Sequence, residues 1–392
     1  MEPAPGAPPS GVSVLFVTTV TNTLRFFLAP YAAHLRALGW RVDAAANGAA
    51  GDPALRDAFD HAYDLPLTRS PFNVPRLVRS ERAIREVLEI SRPDIVHVHS
   101  PIAAFVSRLA VRRLPADRRP AVAYTAHGFH FHGGGNPVTN AFFLGAEKMA
   151  GRWTDRLIVI NAEDHVAALR HRIVRPSRLV RMPGIGVDTD VFSPTGVADA
   201  DVGRARAALG AAPGDPLFVV IAEYNRNKRP GDAIRALARM RHTEARLALA
   251  GGGPLQARLE ELATRCGVAD RVRVVGFVDD IRPMVAGATA LVLTSRREGL
   301  ARSIMEALAL EVPVIASTAR GNRELVSPDS GRLVRTGDVG GYAAAMDWMI
   351  DHPRERDAMG LRGRVRMVEQ YDVRTLILRH EDLYRQMLAG RG

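Results

Sequence analysis

The sequence predicts an α/β protein with two doubly wound domains that face one another across a cleft. Short β-rich apolar runs alternate with longer helical patterns, which is typical of parallel sheets with crossover helices. At 392 residues the chain is too long for one typical core and suits two domains of about 150 to 200 residues each. Proline and glycine cluster at residues 182–194 (MPGIGVDTDVFSP), where the periodicity lapses, so we place the join there.

The first set of elements precedes that join. Its predicted strands are the buried runs at 12–19, 41–47, 95–99, 121–127 and 156–161. Helices are expected over 28–39, which ends at Gly39, and over 80–92, which ends before Pro93.

The second set follows the join. We predict strands at 217–224, 245–251, 271–277, 290–295 and 312–317, with helices around 230–241, 254–266, 301–310 and 340–350. The domains are placed at 1–187 and 188–370, and a helix over 371–392 is expected to return to the first domain. His127 closes one strand, and Lys228 and Glu298 each follow another. Ligands of such sheets bind at the carboxyl ends of strands, so these three residues belong on cleft-facing loops.

Composition indicates an ordinary soluble globular protein, with 47% hydrophobic and 24% charged residues. No apolar run approaches the roughly 18 residues of a membrane span. The single cysteine, Cys266, excludes an intrachain disulfide and favours a reducing cytoplasm. The first ten residues, MEPAPGAPPS, lack the basic start of a signal peptide and are interpreted as a loose leader.

The charge balance favours anionic partners. Lys and Arg number 53 against 42 Asp and Glu, a formal net charge of +11. The arginines are scattered, and no zinc-finger spacing, RNA-recognition signature or basic arm occurs, so nucleic acid is not an expected partner. One segment concentrates arginine at helical spacing, namely Arg76, Arg79, Arg82 and Arg85. A solvated helix face is the simpler interpretation, and docking onto anionic lipid headgroups is the alternative.

The stretch TAHGFHFHGGGNP (125–137) admits several chemistries. HGGG is typical of an esterase oxyanion loop, but the nucleophile elbow G-x-S-x-G that an esterase needs is missing. A zinc site would need further ligands, and neither H-E-x-x-H nor a nearby cysteine is present. The first strand lacks a G-x-G-x-x-G loop, and there is no Walker A sequence. We expect His127 to be functional, and His130, His132 and the glycines to shape a loop without a metal.

A stronger pattern is SRREGLARSIMEALALEVPVIAS (295–317). Glu298 lies in a loop after a buried strand, and Glu306 follows eight positions later inside the next helix. Each could simply be a helix cap or an exposed face residue. A helix start after a buried strand also offers free N–H groups and its positive end to a phosphate. Two carboxylates beside that phosphate would then accept hydrogen bonds from sugar and ribose hydroxyls.

The E-x7-E pattern resembles the signature of the retaining family-4 glycosyltransferases, which have the GT-B fold of two Rossmann-like domains. The likeness extends over nearly the whole chain. Six further motifs resemble, in order, the bacterial branch that builds capsule and exopolysaccharide repeat units: HGFHFHGG (127–134), WTDRLIVINAED (153–164), IGVDTDVF (185–192), EYNRNKRP (223–230), GFVDDI (276–281) and GNRELV (321–326).

The resemblance implies a role for each matching residue. Three are implied at the reaction centre: His127 contacts the donor sugar, Glu298 grips its hydroxyls, and Lys228 binds the diphosphate, where its charge stabilises the leaving group. The other implied donor-binding residues are Gly299, Leu300 and Ala301 through backbone amides, Glu306 at the ribose, Phe277 and Val278 at the uracil, and Arg226. On the acceptor side the candidates are Thr19, Thr21, Asn22, Gly128, which lets the backbone pass close to the donor, and His130.

Two departures from the family pattern bear on these roles. Glu223 occupies the place of the usual diphosphate-binding arginine, and Arg226 is a candidate substitute. The first loop, TTVTNTLRF, lacks the paired glycines of many relatives. Asp188 and Asp190 form a D-x-D in the interdomain segment, for which turn and cap chemistry is expected. We therefore expect no metal and no cofactor beyond the donor.

The expected enzyme is a cytoplasmic, metal-independent, retaining glycosyltransferase that moves a hexose or N-acetylhexosamine from a UDP-sugar to a hydroxyl acceptor. The resembling branch suggests a polyprenyl-diphosphate sugar as acceptor, with peripheral association at the inner face of the membrane. The alternatives are a soluble natural-product acceptor, such as an aminocyclitol, and a non-catalytic sugar-nucleotide sensor.

Overall fold

The structure is a computed structural model that describes residues 11–68, 70, 72–133 and 135–390. The expected leader MEPAPGAPPS, and Gly134 of the glycine triplet, lie outside the described residues. The chain divides into two compact units. The first unit comprises Met1–Ile185 with Arg374–Gly392, and the second comprises Gly186–Val373. This division lies two residues from the boundary that we placed after residue 187, and the C-terminal segment groups with the first unit.

The first unit contains a seven-stranded parallel sheet in the order β3-β2-β1-β4-β5-β6-β7. Its strands are β1 Ser13–Val20, β2 Arg41–Asn47, β3 His61–Asp64, β4 Ile95–His99, β5 Ala121–Ala126, β6 Arg156–Val159 and β7 Leu179–Arg181. Val14 in β1 pairs with Val42 on one side and with Ile95 on the other. The central strands are buried from end to end, which a parallel sheet covered by helices on both faces requires.

Within the described residues, seven α-helices link these strands. They are α1 Thr21–Thr23, α2 Ala29–Ala37, α3 Pro53–Ala58, α4 Val74–Ser91, α5 Pro101–Arg113, α6 Pro137–Gly151 and α7 Ala162–Arg170. The arginine-bearing helix α4 begins six residues before the predicted Ser80, because the Asn73 side chain caps it and Pro75 follows in the first turn. The expected first loop is also helical, since α1 continues into a π-helical turn at Leu24–Leu28.

The second unit contains a six-stranded parallel sheet in the order β10-β9-β8-β11-β12-β13. Its strands are β8 Leu217–Ile221, β9 Arg246–Ala250, β10 Val272–Gly276, β11 Ala290–Leu293, β12 Val314–Ser317 and β13 Gly331–Val334. Its helices are α8 Asp199–Ala208, α9 Gly231–Leu237, α10 Gln256–Arg265, α11 Arg282–Ala286, α12 Arg302–Ala309, α13 Asn322–Leu325, α14 Val339–Asp351 and α15 Pro353–Arg366. Two apolar cores, one on each face, bury this sheet.

The prediction of two doubly wound α/β units is confirmed, and the strands that it missed share one property. β3, β7 and β13 all lie at sheet edges and have only three or four residues. An edge strand is covered on fewer sides, so it lacks the continuous apolar run that marked the central strands.

The last helix, α16, spans Val373–Ala389 and packs within the first unit. Its Tyr384 hydroxyl lies 2.5 Å from His97 Nδ1 in β4. Glu381 lies 2.7 Å from His34 Nε2 in α2, and the ring of His380 lies edge-on to Tyr31. Apolar and polar contacts therefore both anchor this helix to α2 and β4. In the described part of the chain, no helix is both long and apolar enough to cross a membrane.

A buried ion pair ties α5 to α6 in the first unit. Arg108 Nη2 lies 3.0 Å from Glu147 Oε2, and both side chains are almost fully buried. Tyr124 donates its hydroxyl to the other Glu147 oxygen at 2.9 Å, and Arg108 also donates to Thr154. Each charge is thus matched and hydrogen-bonded, which is the condition under which a buried pair is tolerated.

We expect Arg108→Met to destabilise the chain by about 3 to 5 kcal/mol, because Glu147 would keep an uncompensated buried charge. Adding Glu147→Gln should recover part of that loss, since the amide is neutral and still accepts from Tyr124. Urea unfolding measures the stability of the single and the double variant. The control is Arg258→Met, the same substitution at an exposed arginine. A single variant as stable as the control would contradict this account.

Candidate donor site in the second unit and histidine cluster in the first

Lys228 and Glu298 form an ion pair in the second unit. Lys228 Nζ lies 2.7 Å from Glu298 Oε1, and the carboxylate is buried while the lysine is partly exposed. The chain contains 53 lysine and arginine residues, and only two of them are lysines, Lys148 and Lys228. At position 228 the chain therefore carries a compact, strongly hydrated ammonium in place of the guanidinium that it uses almost everywhere else.

Hydrogen bonds between two loops hold this ion pair in place. Thr294, at the end of β11, places its hydroxyl 3.0 Å from Lys228 O and 2.8 Å from Arg229 O. Asn227 O accepts from the Arg296 amide at 2.8 Å, and the Asn227 side chain donates to Arg297 O at 3.0 Å. The loop after β8 and the loop after β11 are therefore fastened to each other on both sides of the Lys228–Glu298 contact.

Each loop is also shaped internally. The Asn225 side chain accepts from the amides of Asn227 and Lys228, both at 2.9 Å, which is a turn geometry that asparagine favours. On the other side, Gly321 packs against Gly299 so closely that a Cβ at 321 would lie 1.4 Å from Gly299 O. The sequence analysis assigned no role to Asn225 or Thr294, because single polar residues after strands give no periodic signal.

The start of α12 lies directly after Glu298. Ala301 is the capping residue in extended conformation, and the first backbone hydrogen bond of the helix runs from Ile304 to Ala301. The amides of Gly299, Leu300 and Ala301 precede that bond, so this segment can offer N–H groups and the positive helix end to an anion. The segment directly after Glu298, the partner of Lys228, is thus a candidate for binding an anion.

Glu306 projects from the second turn of α12 and is buried. It pairs with Arg302 one turn earlier, whose Nε lies 2.6 Å from Glu306 Oε1. Burial raises the pKa of Glu306, and the charge of Arg302 opposes that shift without cancelling it. Side-chain contacts therefore link Glu306 to Arg302, whereas Lys228 and Glu298 contact each other.

Further positive charge surrounds the ion pair. Loss of hydration, followed by repulsion from Arg320 and Arg296, lowers the pKa of Arg297. Burial disfavours the charged form of the Arg297 guanidinium, and the neighbouring cations add to that effect. Arg226 and Glu223 are both exposed on the neighbouring loop. The sequence comparison missed Arg297 and Arg320, although the doublet Arg296-Arg297 directly after a buried strand is a signal that could have found them.

The predicted uracil-binding residues follow strand β10. Phe277 is 68% exposed, and Val278 is half-buried against the core. The preceding Gly276 has a φ of 76° and accepts a hydrogen bond from the Gly251 amide at 2.7 Å. An exposed aromatic ring beside a glycine-rich turn is a suitable surface for stacking a planar base.

His127 follows β5 in the first unit and touches a second histidine. His127 Nε2 lies 2.9 Å from His99 Nδ1. Burial, with a smaller effect of His380, lowers the pKa of His127 to about 4, and burial lowers the pKa of His99 well below its usual range. Both rings are therefore neutral at pH 7, and one proton lies between them.

The surroundings decide which ring donates that proton. If His127 donated, His99 would carry its own proton on Nε2, which is buried and has no hydrogen-bond partner among the described residues. A buried N–H without an acceptor is costly. His99 Nδ1–H is thus the donor, and His127 keeps its proton on Nδ1. The sequence comparison missed His99, which lies within the strand IVHVH and reads as part of the core.

His97 and His380 complete a cluster of four buried or half-buried histidines. The His97 ring lies 4.2 Å from that of His99 and 5.8 Å from that of His380, centroid to centroid. His97 also contacts Thr125 Oγ1 at 2.7 Å. Burial lowers the pKa of His380 to about 4.

The remaining predicted residues have distinct places in the first unit. Gly128 has a φ of 125°, a backbone conformation that favours glycine. His130 is exposed, and its ring lies 5.0 Å from Phe143. Thr19 is buried, Thr21 half-buried and Asn22 exposed at the β1–α1 junction, where the expected loop is a helix start.

The D-x-D segment makes a turn. Asp188 Oδ1 accepts from the amides of Asp190 and Val191, both at 3.0 Å, which matches the expected turn chemistry. Across the described residues, no group of three or more His, Cys, Asp or Glu side chains is arranged to hold a metal ion.

Comparisons with known proteins show to which family this chain belongs. Residues 28–191 match the model of Glycosyltransferase Family 4, and residues 201–366 match that of the glycosyl transferases group 1. The chain is 33% identical, over 93% of its length and 94% of the relative, to the Bacillus subtilis (strain 168) protein named "Putative glycosyltransferase EpsD". The chain belongs to the family-4 glycosyltransferases. It is therefore a glycosyltransferase of the hexosyltransferase class.

Other similarities support the fold and the reaction class. An Escherichia coli UDP-Gal:α-D-GlcNAc-diphosphoundecaprenol α-1,3-galactosyltransferase is 24% identical over 82% of this chain and 84% of the relative. Anabaena HepE in complex with UDP and glucose superposes with a TM-score of 0.79 at 19% identity, covering 96% of this chain and 100% of that one. Sucrose-phosphate synthase from Thermosynechococcus elongatus gives 0.82 at 22% identity, with the same coverage. The family-4 enzyme therefore has the GT-B fold.

We expect Gly321→Ala to destabilise the second unit and to weaken binding of nucleotide to it, because the new methyl group collides with Gly299 O and displaces the start of α12. The control is Gly203→Ala, where a Cβ meets nothing within 4 Å and should stabilise α8 by roughly 0.5 to 1 kcal/mol. Thermal unfolding with and without UDP measures both effects. Equal behaviour of the two variants would contradict the proposed packing.

The histidine cluster predicts a stability that falls with acid. In the folded chain the pKa of His380 is lowered to about 4, whereas in the unfolded chain it has the ordinary value of about 6.5. Between these two pH values His380 is therefore protonated in the unfolded chain and neutral in the folded chain. The free energy of unfolding should fall by about 1.4 kcal/mol per pH unit for that histidine across this window and level off below it. His380→Gln should reduce the slope measured by urea unfolding from pH 7 to 5. An unchanged slope would count against a neutral buried ring.

Proposed function

We propose that this glycosyltransferase transfers a hexose or N-acetylhexosamine from a UDP-sugar, with retention of configuration, to a hydroxyl of a polyprenyl-diphosphate-linked sugar. The observation that carries this proposal is the Lys228–Glu298 contact of 2.7 Å at the start of α12. The contact supports the proposal because a cation, a carboxylate that accepts hydrogen bonds from hydroxyls and a helix start suited to an anion lie together, and a nucleotide sugar needs all three.

The donor roles follow from the chemistry of each group. Lys228 binds the diphosphate, with the amides of Gly299, Leu300 and Ala301 on the same charge. Glu298, released from its ammonium partner by the incoming phosphate, accepts hydrogen bonds from the hydroxyls of the sugar. The remaining contacts are Glu306 at the ribose and Phe277 with Val278 at the base.

A second cation is needed where Glu223 stands in place of the usual arginine. We assign that role to Arg297, since it lies next to Glu298 in a cluster whose mutual repulsion a diphosphate would relieve. Arg226 is the alternative, and it lies two residues before Lys228 in an exposed turn. Cations in these places would supply the charge compensation that a divalent metal provides in other enzymes, so we propose metal-independent transfer.

The transfer step uses front-face chemistry. The acceptor oxygen bonds to the anomeric carbon on the face that the diphosphate leaves, and the departing diphosphate takes the acceptor proton. Lys228 stabilises the charge that grows on the leaving group. His127 supplies a neutral Nδ1–H, which can donate to an oxygen of the donor sugar without adding charge.

The nucleotide and acceptor are supported by relatives. One carries UDP-Gal and diphosphoundecaprenol in its name, and HepE is solved with UDP and with UDP-glucose. Two mycobacterial relatives, 35% identical over 53% of this chain, are named as GDP-mannose-dependent, so GDP-mannose belongs in any donor panel. Polyprenyl-linked acceptors would place the enzyme in the cytoplasm at the inner membrane face.

A soluble acceptor is the second candidate. A Bacillus anthracis relative, 25% identical over 77% of this chain, is named N-acetyl-α-D-glucosaminyl L-malate synthase, and a Nocardiopsis relative is named D-inositol 3-phosphate glycosyltransferase. A soluble cyclitol or hydroxy acid is therefore compatible with the family and would leave every donor contact unchanged. A sugar-nucleotide sensor would bind the donor without turnover.

We expect Lys228→Ala to weaken UDP binding by roughly 10- to 100-fold, the loss of one charged hydrogen bond. Glu298→Gln should bind UDP at least as well as the wild type, because it frees Lys228 from its counter-ion, yet lose the extra affinity for UDP-sugar and all transfer. Isothermal titration with UDP and UDP-sugars separates the two effects, and activity in excess chelator tests the metal.

The chain offers a matched control in Lys148→Ala, which removes the other lysine from the first unit. Its UDP affinity should equal that of the wild type. If Lys228→Ala bound UDP as tightly as this control, the proposed donor site would be wrong. UDP-sugar binding without transfer or hydrolysis in the wild type would favour the sensor.

A further inference from the structure

A basic groove lies on the first unit, away from the residues discussed above. It has a volume of about 890 Å³ and is formed by the carboxyl-terminal ends of α6 and α7 and by the turn that leads into β7. Helices that link parallel strands end near the amino ends of the next strands. The groove is therefore at the opposite edge of the sheet from His127, which follows the carboxyl end of β5.

The lining of this groove combines cations with apolar groups, and no carboxylate is present among its described residues. Its five cations are Lys148, Arg152, Arg172, Arg175 and Arg178. Arg178 donates to Thr154 O, and none of the five has an ion pair among the described residues. Met149, Leu169 and Ile173 supply the apolar part of the lining. Such a surface is complementary to a ligand that is both anionic and apolar.

Helix α6 continues the apolar part out of the groove. Val138, Phe142, Gly145 and Met149 follow one another at intervals of four, three and four residues, so they share one face. That face is directed to solvent: Val138 is 78% exposed and Phe142 is 51% exposed. The opposite face of α6 carries the buried Glu147 and Ala150. The only charge among the exposed residues of this helix is Lys148.

A residue of another segment extends the same surface. The ring of Phe72, just before α4, is 80% exposed and lies 6.2 Å from that of Phe142 in a stacked arrangement. Val74 and Val78 on α4 are exposed next in sequence. A soluble protein rarely leaves a continuous apolar strip of this length in water without a partner.

We propose that this flank of the first unit, Phe72 with the exposed face of α6 and the basic groove, docks the enzyme on an anionic lipid bilayer. The apolar strip enters the region between headgroups and acyl chains, and the groove cations bind phospholipid phosphates. Phosphates alone would satisfy the cations but leave the strip in water. A bilayer satisfies both, and this association is independent of which donor or acceptor the enzyme uses.

The arginine-bearing face of α4, suggested by the sequence, fits less well. Its exposed residues include Arg79 and Arg82, but Glu86 and Glu89 are exposed one turn further along the same helix. Opposite charges at such spacing partly cancel in their attraction for an anionic surface. The membrane contact proposed here therefore involves the first turn of α4 and α6, and not the length of α4 that the sequence offered as an alternative to a solvated face.

The test is cosedimentation of the full chain with vesicles of phosphatidylcholine alone or mixed with phosphatidylglycerol, at about 0.1 M salt so that charges are only partly screened. Binding should require phosphatidylglycerol. The double variant Arg172→Gln/Arg175→Gln should lower the partition coefficient roughly 30-fold, about fivefold for each cation. Phe142→Ser should weaken binding to the same vesicles without changing net charge.

Two double variants serve as controls of equal charge change. Arg239→Gln/Arg258→Gln alters the exposed surface of the second unit and should leave binding within about twofold of the wild type, as this surface has no expected membrane contact. Arg79→Gln/Arg82→Gln tests α4 directly. UDP affinity should be unchanged in every variant, which separates a failure of docking from a failure of the donor site.

Four results would overturn the proposal: binding to neither vesicle, equal binding to both vesicles, groove variants that bind like the second-unit control, or a larger loss from the α4 pair than from the groove pair. Full competition by millimolar inorganic phosphate would likewise overturn it, because that result would indicate a pocket for a free anion.

Discussion

The ion pair between Lys228 and Glu298 is the interaction on which the donor site depends. Neither residue belongs to a regular element, and each lies on a loop after a parallel strand. The loops keep their relative position because Thr294, Asn227 and the Arg296 amide fasten one to the other. A cation and an anion are thereby held in contact before any ligand arrives, so little ordering remains to be done on binding.

The first unit depends on a different constraint, the exclusion of charge. Burial keeps His97, His99, His127 and His380 neutral. Among the described residues His99 Nε2 has no hydrogen-bond partner, and this determines which of His99 and His127 donates the proton between them. Packing by α16 is part of that constraint, because His380 and Tyr384 project from it. The C-terminal helix thus shapes the surroundings of a residue far earlier in the chain.

Sequence reasoning found the central strands because burial on both faces produces a continuous apolar run. It predicted Glu298 and Lys228 as site residues because ordered motifs resemble a family, and the structure brings these two side chains into contact. It missed β3, β7 and β13, which are short and lie at edges. It also missed His99, Arg297 and Thr294. These residues act through neighbours that are distant in sequence, and such pairings appear only once the sheet brings the loops together.

The most direct test of the account is a crystal structure of the enzyme with UDP bound. We expect Lys228 Nζ to leave Glu298 and to lie within about 3 Å of a diphosphate oxygen, with the amides of residues 299–301 directed at the same group. Glu298 would then be free for the sugar. A diphosphate bound elsewhere, with the Lys228–Glu298 contact intact, would contradict the account.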